Sequence, residues 1–187
     1  MTKIVVGVTG ASGSVYAVRL LQQLQQRSEV ETHLIVTRAG EKTLYQETGL
    51  KINDLKEMAN QWHSIEEIGA SIASGSYLAD GMVVAPCSIN TLSAIACGLT
   101  SNLLIRAADV TLKERRRLIL MVRESPLHLG HLRSMVAVAE IGAIVAPPLP
   151  AFYNKPQTIE EAVDQSVLRI LDLLGLPESG AKRWHGC

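Results

Sequence analysis

The sequence predicts an α/β protein: a Rossmann-like, doubly wound parallel sheet in three layers, folded as a single domain. Three observations predict it. Short Val- and Ile-rich runs alternate with longer segments whose apolar residues recur at helical spacing, the signature of β-α-β units. The hydrophobic content is 47% with one Phe, two Trp and four Tyr, so the core is built from aliphatic side chains, as buried parallel strands require. Small-residue turns follow two of the runs where a helix begins, which is where such sheets bind ligands.

The first element is a β-rich run over 3–8 ending at Gly10, and 14–27 then places Ala17, Leu20, Leu21 and Leu24 on one stripe. Strand, glycine turn and helix follow in that order. The pattern recurs at 32–37, a strand with a polar helix over 39–48 behind it, and at 82–86, a strand followed by a helix over 89–97. Helices at 103–115 and 129–141 flank a strand at 118–123, and another strand is expected at 143–146. A helix over 158–174 closes the pattern, with Val163, Val167, Ile170, Leu171 and Leu174 on one face. Before it, Pro147, Pro148, Pro150 and Pro156 force 147–156 into a loop placed to fold over something.

The 187 residues and 20.3 kDa suffice for one domain over 1–187, ending in a C-terminal tail from about 176. Lys plus Arg and Asp plus Glu each total 18, so net charge is zero and neither nucleic acid nor an acidic membrane is an expected partner. No apolar run approaches the roughly 18 residues of a membrane helix, and the N-terminus lacks a signal-peptide pattern. Cys87, Cys97 and Cys187 form no CxxC pair. A cytoplasmic protein with free thiols is expected.

Three constellations can carry chemistry. Thr9-Gly10-Ala11-Ser12-Gly13 lies between the first strand and the first helix, where backbone N–H groups can hold a phosphate. Its glycines are spaced by three, so it is neither a dinucleotide fingerprint nor a nucleoside-triphosphate loop. The alternative is a tight turn with Ser12 as N-cap. The second pairs Ser74-Gly75-Ser76 with Pro86-Cys87-Ser88-Ile89-Asn90-Thr91, whose polar groups can meet phosphate, hydroxyls or a ring edge. Alternatively Ser88 only caps its helix, and Cys87 is expected to pack. The third is Arg106, Lys113 and Arg123-Glu124, which follow a stretch, 57–105, without Lys or Arg. Cations here can surround an anion, with an acid beside them for proton transfer. The run Arg115 to Arg117 reads as solvated exterior. His128 and His131 have the spacing of a ligand pair but no evident third ligand, so capping or surface roles are preferred. Tyr153 follows the proline loop and Arg169 is expected to lie inward on the last helix.

These residues resemble the UbiX-type flavin prenyltransferases, within the homo-oligomeric FMN-binding flavoproteins. The resemblance rests on TGASG at 9–13, ETHLIVTRA at 31–39, SGS at 74–76, PCSINTL at 86–92, RAADVTLKER at 106–115, VRESPLHLGHL at 122–132 and PAFYNKPQT at 150–158. It implies an enzyme that transfers the dimethylallyl group of dimethylallyl monophosphate to N5 and C6 of reduced FMN, without a metal. Its product, prenylated FMN, would serve a UbiD-type decarboxylase, often in ubiquinone synthesis. A large homo-oligomer, commonly a dodecamer with sites between subunits, is implied as well.

Carried over by position, the resemblance assigns FMN contacts to Gly10, Ala11, Ser12, Thr37, Ser88, Ile89, Asn90, Thr91 and Arg123. It places Arg106, Lys113, Arg123, Tyr153 and Arg169 around the prenyl phosphate, with Trp184 covering the site. Glu47 and Glu124 match the acids linked to catalysis, Glu124 as the proton shuttle, and Ser12 would lie near N5. Two departures stand out: Thr37 replaces a common Ser, and 65–73 lacks the aromatic residue that some relatives carry. The rival readings are an FMN-dependent decarboxylase of cysteine-containing substrates, with His63 as base, and a non-catalytic flavin carrier. Against the first, no PxMNxxMW motif is present.

Overall fold

The computed structural model describes residues 1–178. Trp184 and most of the expected tail lie outside the described residues. In chain order the elements are β1 (Thr2–Val8), α1 (Ser14–Gln25), β2 (Val30–Val36), α2 (Arg38–Thr48), α3 (Ile52–Glu57) and β3 (Gln61–His63). They continue with β4 (Gly81–Cys87), α4 (Ile89–Ala96), α5 (Leu103–Lys113), β5 (Arg117–Val122), α6 (Leu129–Glu140), β6 (Ile144–Val145) and α7 (Ile159–Leu174). Short 3-10 turns form at Ser71–Ala73 and Phe152–Asn154.

The strands make one six-stranded sheet in the order β3-β2-β1-β4-β5-β6, and every pairing is parallel. This is the expected doubly wound topology. Because side chains alternate across a strand, Ile4, Val6 and Val8 face one layer and Val5 faces the other. The first layer packs α1, α2, α3 and α7 on the sheet through Leu20, Leu21, Leu44, Leu55 and Val167. The second packs α4, α5 and α6 through Leu92, Leu104, Ala108 and Val138. Each fully buried aliphatic side chain contributes about 1.5–3 kcal/mol.

The long elements stand where the periodicity places them, with ends shifted by a residue or two. Thr37 ends the expected strand at 32–37 but instead caps α2, its hydroxyl accepting from Gly40 N–H at 3.0 Å. Two elements have no counterpart among the expected ones. Helix α3 has six residues and β3 three, too short for any period to register.

The chain reverses sharply after α5. There Arg115 adopts a left-handed φ of 56°, a conformation that costs a non-glycine residue about 1–2 kcal/mol. Its N–H bonds Leu112 and that of Arg116 bonds Thr111, both at 2.9 Å, closing the helix in a Schellman-like turn.

Candidate functional site

In an all-parallel sheet every strand ends on the same edge, and β1 and β4 are the neighbours from which the chain leaves in opposite directions. Their C-terminal turns therefore form a crevice. Thr9, 1% exposed, ties the two together: its hydroxyl donates to the Pro86 carbonyl at 2.7 Å and accepts from Ser88 N–H at 2.8 Å. Sequence reasoning placed Thr9 in the 9–13 turn but gave its side chain no role of its own.

The turn after β1 is pressed against the start of α2. A Cβ on Gly10 would come within 2.5 Å of the Ala39 Cβ, and one on Gly40 within 2.9 Å of the Val8 carbonyl oxygen. Thr37 N–H donates to that same Val8 oxygen at 2.9 Å, and the Thr43 hydroxyl donates to Gly10 at 3.2 Å. Gly10, Ala11 and Thr37 are thus brought together. Ser88 caps α4, accepting from Thr91 N–H at 3.3 Å and donating to the Thr91 hydroxyl at 3.1 Å. Ile89 and the exposed Asn90 occupy the first turn of that helix.

At α1 the alternative reading, Ser12 as the cap, does not hold. The N-cap is Gly13, at φ 109°, and it has no side chain to offer. Glu47 of α2 supplies the acceptor instead: Oε2 receives Gly13 N–H at 2.9 Å and Ser14 N–H at 2.8 Å. A carboxylate therefore takes the donors that a phosphate would take in a simple helix-start cradle. Burial pushes the Glu47 pKa up, but hydrogen bonds from the Ser12 side chain and from Ser14 and Gly13 N–H outweigh it. The net shift is below the ordinary 4.5. The Ser12 side chain and the Glu47 carboxylate thus stand together at the crevice.

Arg123, just beyond β5, reaches into the same place. Its N–H bonds the Cys87 carbonyl at 3.1 Å, and its side chain crosses Gly13, where a Cβ would meet its Cδ at 2.8 Å. The guanidinium carbon lies 5.7 Å from the centre of the Tyr16 ring. Arg123 Nε is buried without a hydrogen-bond partner. A buried, unsatisfied cationic donor is costly and calls for an acceptor from a bound molecule. Next to it Glu124 is exposed, with one carboxylate oxygen accepting from Ser125 N–H at 3.1 Å.

The cations expected around the prenyl phosphate are not gathered in one chain. Lys113 ends α5 just before β5 begins, so it stands at the opposite edge of the sheet from Arg123. Arg106, in the first turn of α5, donates to the Ala73 carbonyl at 3.2 Å and pairs with Asp109 at 2.7 Å. Arg169 corrects the inward expectation. Its side chain is 69% exposed, 4.0 Å from Asp172, on a helix of the other layer. Tyr153 is exposed in the 3-10 turn within the proline loop.

Other expectations resolve simply. Cys87 is fully buried and burial pushes its thiol up to about 12, so it packs rather than reacts. His128 caps α6, its Nδ1 accepting from Gly130 N–H at 3.0 Å. His63 is buried and its Nε2 lies 2.9 Å from Nδ1 of His33, with burial lowering the pKa of both rings. Among the described residues no three His, Cys, Asp or Glu side chains are placed to hold a metal ion. A cleft of about 640 Å³ opens between the C-terminal ends of α4, α5 and α6, away from the crevice, lined by Cys97, Asp109, Lys113, Arg115 and Glu140.

Comparison with known proteins settles the kinship. A flavoprotein family model matches residues 1–168. A flavin prenyltransferase UbiX of Thauera aromatica is 53% identical over 184 residues, covering 98% of this chain and 94% of its own. The chain belongs to the UbiX flavin prenyltransferase family. Two solved UbiX-type structures share its fold closely. One, AnUbiX (PadA1) in complex with FMN and dimethylallyl pyrophosphate, has a TM-score of 0.96 at 45% identity, covering 100% of this chain and 98% of its own. The other, a dodecameric FMN-dependent UbiX-like decarboxylase from Escherichia coli O157:H7, has a TM-score of 0.96 at 43% identity, covering 99% and 100%. In this UbiX-type chain the crevice residues fit FMN: the orphaned Arg123 Nε would supply a donor, and the glycines at 10 and 13 leave room where side chains would clash.

Proposed function

We propose that this protein is a flavin prenyltransferase that moves the dimethylallyl group of dimethylallyl monophosphate onto reduced FMN. The observation that carries the reading is the buried, unpartnered Arg123 Nε in a crevice of small polar turns, within a chain 53% identical to such an enzyme. When bound, reduced FMN would supply the nucleophile, its N5 displacing phosphate from the allylic carbon, and C6 would close the ring as the alkene gains a proton and C6 gives one up.

The chain's own residues do the rest. Gly10, Ala11, Thr37 and Ser88 to Thr91 form the walls that hold the flavin, and Arg123 meets an acceptor on it. Ser12, beside the Glu47 carboxylate whose pKa its side chain helps to lower, polarises N5. Glu124, exposed at the mouth, carries the proton between the leaving phosphate and the flavin adduct. Arg106, Lys113, Tyr153 and Arg169 stabilise the departing phosphate, and cations in a water-poor site lower the cost of separating charge.

That last group requires neighbours. Lys113 lies across the sheet from the crevice, and Arg169 belongs to the opposite layer from α5. One phosphate can touch them all only where copies of the chain meet. A homo-oligomer, of the dodecameric kind described for the E. coli relative, supplies that meeting point. The product passes to a UbiD-type decarboxylase. A reducing cytoplasm suits both the reduced flavin and the free thiols of Cys87 and Cys97.

Anaerobic incubation with reduced FMN and dimethylallyl monophosphate, followed by mass analysis of the flavin, tests the reading. A flavin heavier by one prenyl unit is expected. Recovery of unmodified FMN alone would sink it.

A further inference from the structure

Arg116 belongs to a run of three arginines that the sequence offers as a solvated surface, yet it is the one whose side chain turns inward to a loop. The left-handed Arg115 reverses the chain after α5 and sends Arg116 back across the 73–77 segment. There its Nη1 donates to the Tyr77 carbonyl at 2.6 Å and its Nη2 to the Gly75 carbonyl at 2.8 Å.

The same segment is held twice more from α5. Arg106, two helical turns before Lys113, donates to Ala73 at 3.2 Å. Lys113 and Glu114 pair with each other directly against Gly75, where an added Cβ would collide with the Glu114 carboxylate and come within 2.6 Å of the Lys113 Nζ. Ser74 and Ser76 hydroxyls meet at 2.8 Å on this loop. The carbonyls of 73, 75 and 77 are thus all engaged by one helix and its cap.

We propose that Arg116 is a positioning residue for the prenyl-phosphate site: it fixes the Ser74-Gly75-Ser76 loop against Lys113, and so fixes where the Lys113 ammonium stands. The role rests on the function proposed above. Its physical basis is the guanidinium fork. Two carbonyls two residues apart need two donors held in one plane, which arginine provides and lysine does not. By drawing the Gly75 and Tyr77 oxygens to itself, Arg116 also turns these negative dipole ends away from an arriving phosphate. In a trans peptide the following N–H then points the other way. Lysine flexibility is the problem this solves: a four-carbon stem left free to roam loses much of its worth as a phosphate ligand.

The test uses the full assembled protein loaded with oxidised FMN, so that dimethylallyl monophosphate binds without turnover and calorimetry reads its affinity. Arg116→Ala is expected to weaken that binding about tenfold, the worth of one charge-assisted hydrogen bond. FMN affinity and particle size should stay as in the parent. Arg116→Lys should recover only a minor part. Gly75→Ala, which displaces Lys113 while leaving Arg116 in place, should reproduce the loss, and it carries the test if Arg116→Ala does not assemble. Affinity within twofold of the parent in Arg116→Ala or Gly75→Ala, or full recovery by lysine, would overturn the positioning role. A parent protein that fails to bind dimethylallyl monophosphate at all would instead overturn the function on which it rests.

Discussion

At the scale of single residues, Glu47 has a capping job that can be tested apart from the catalytic one proposed for it. Its carboxylate caps α1 for the side-chain-less Gly13, so Glu47→Ala leaves two N–H donors without an acceptor and should cost about 1 kcal/mol. For a chain of this length that is a fall of roughly 2–4 °C in Tm. The sign with pH comes from its lowered pKa. Its contribution is complete above the ordinary 4.5 and is lost as pH falls through the lower folded value. The Tm gap between parent and variant should therefore be widest at neutral pH and close in acid; a gap independent of pH would refute the charged cap. Arg123 makes a second prediction. Arg123→Lys replaces a planar donor set with a point charge and should weaken FMN binding about tenfold in a fluorescence titration. Unchanged affinity would mean that the buried Nε meets no flavin acceptor. The family resemblance pointed to Arg123 and Glu47 individually. It did not tell that Glu47 would occupy the α1 terminus, because that contact joins side chain and backbone from separate helices.

At the scale of elements, the close approach of the β1 turn and α2 is the feature most exposed to test. Gly10→Ala places a methyl group 2.5 Å from the Ala39 Cβ, which neither backbone can yield cheaply. A loss of about 1–3 kcal/mol and weaker flavin binding should appear together, since the two elements must part to relieve the contact. The β2–β3 edge gives a pH effect of the opposite chemical kind. Burial keeps His33 and His63 neutral in the folded protein, with Glu31, Glu67, Lys3 and Tyr77 around them. The unfolded chain takes up protons below the ordinary 6.5 and the folded chain does not, so stability falls as pH drops below that value. A His33→Gln, His63→Gln double variant should show a shallower fall from neutral to mildly acidic pH in thermal melts. Equal slopes would clear the pair of any part in acid sensitivity. The strong strands and helices were legible because their periods repeat several times within one element. Strand β3 was not, since three residues beside a helix of six carry no period, and only pairing with β2 makes them a strand.

At the scale of the molecule, α6 leaves an apolar face without a partner among the described residues. Leu129, Leu132 and Val136 share that face and stand 60%, 44% and 57% exposed, while Val138 is the buried residue of the helix. Such a patch marks an interface, and a second copy is the occupant that the phosphate site proposed above would require. A Leu132→Glu, Val136→Glu variant should sediment as smaller particles and lose prenyl transfer far more than it loses helical content. Retention of full activity by the smaller particles would contradict a site shared between copies.

By itself the sequence determined the layer order, the parallel sheet, the crevice turns and the family, because each depends on local periodicity or on contiguous motifs. Tertiary structure alone decided which residues act together. It set Glu47 on α1, Arg123 against Gly13 in the crevice, Arg116 on the 74–76 loop, Lys113 at the other end of β5, and Arg169 outward on α7. The physical reason is that a side chain's partner is fixed by how elements pack and by where a helix ends. A single left-handed residue such as Arg115 redirects the chain beyond it in a way that no hydrophobic pattern records.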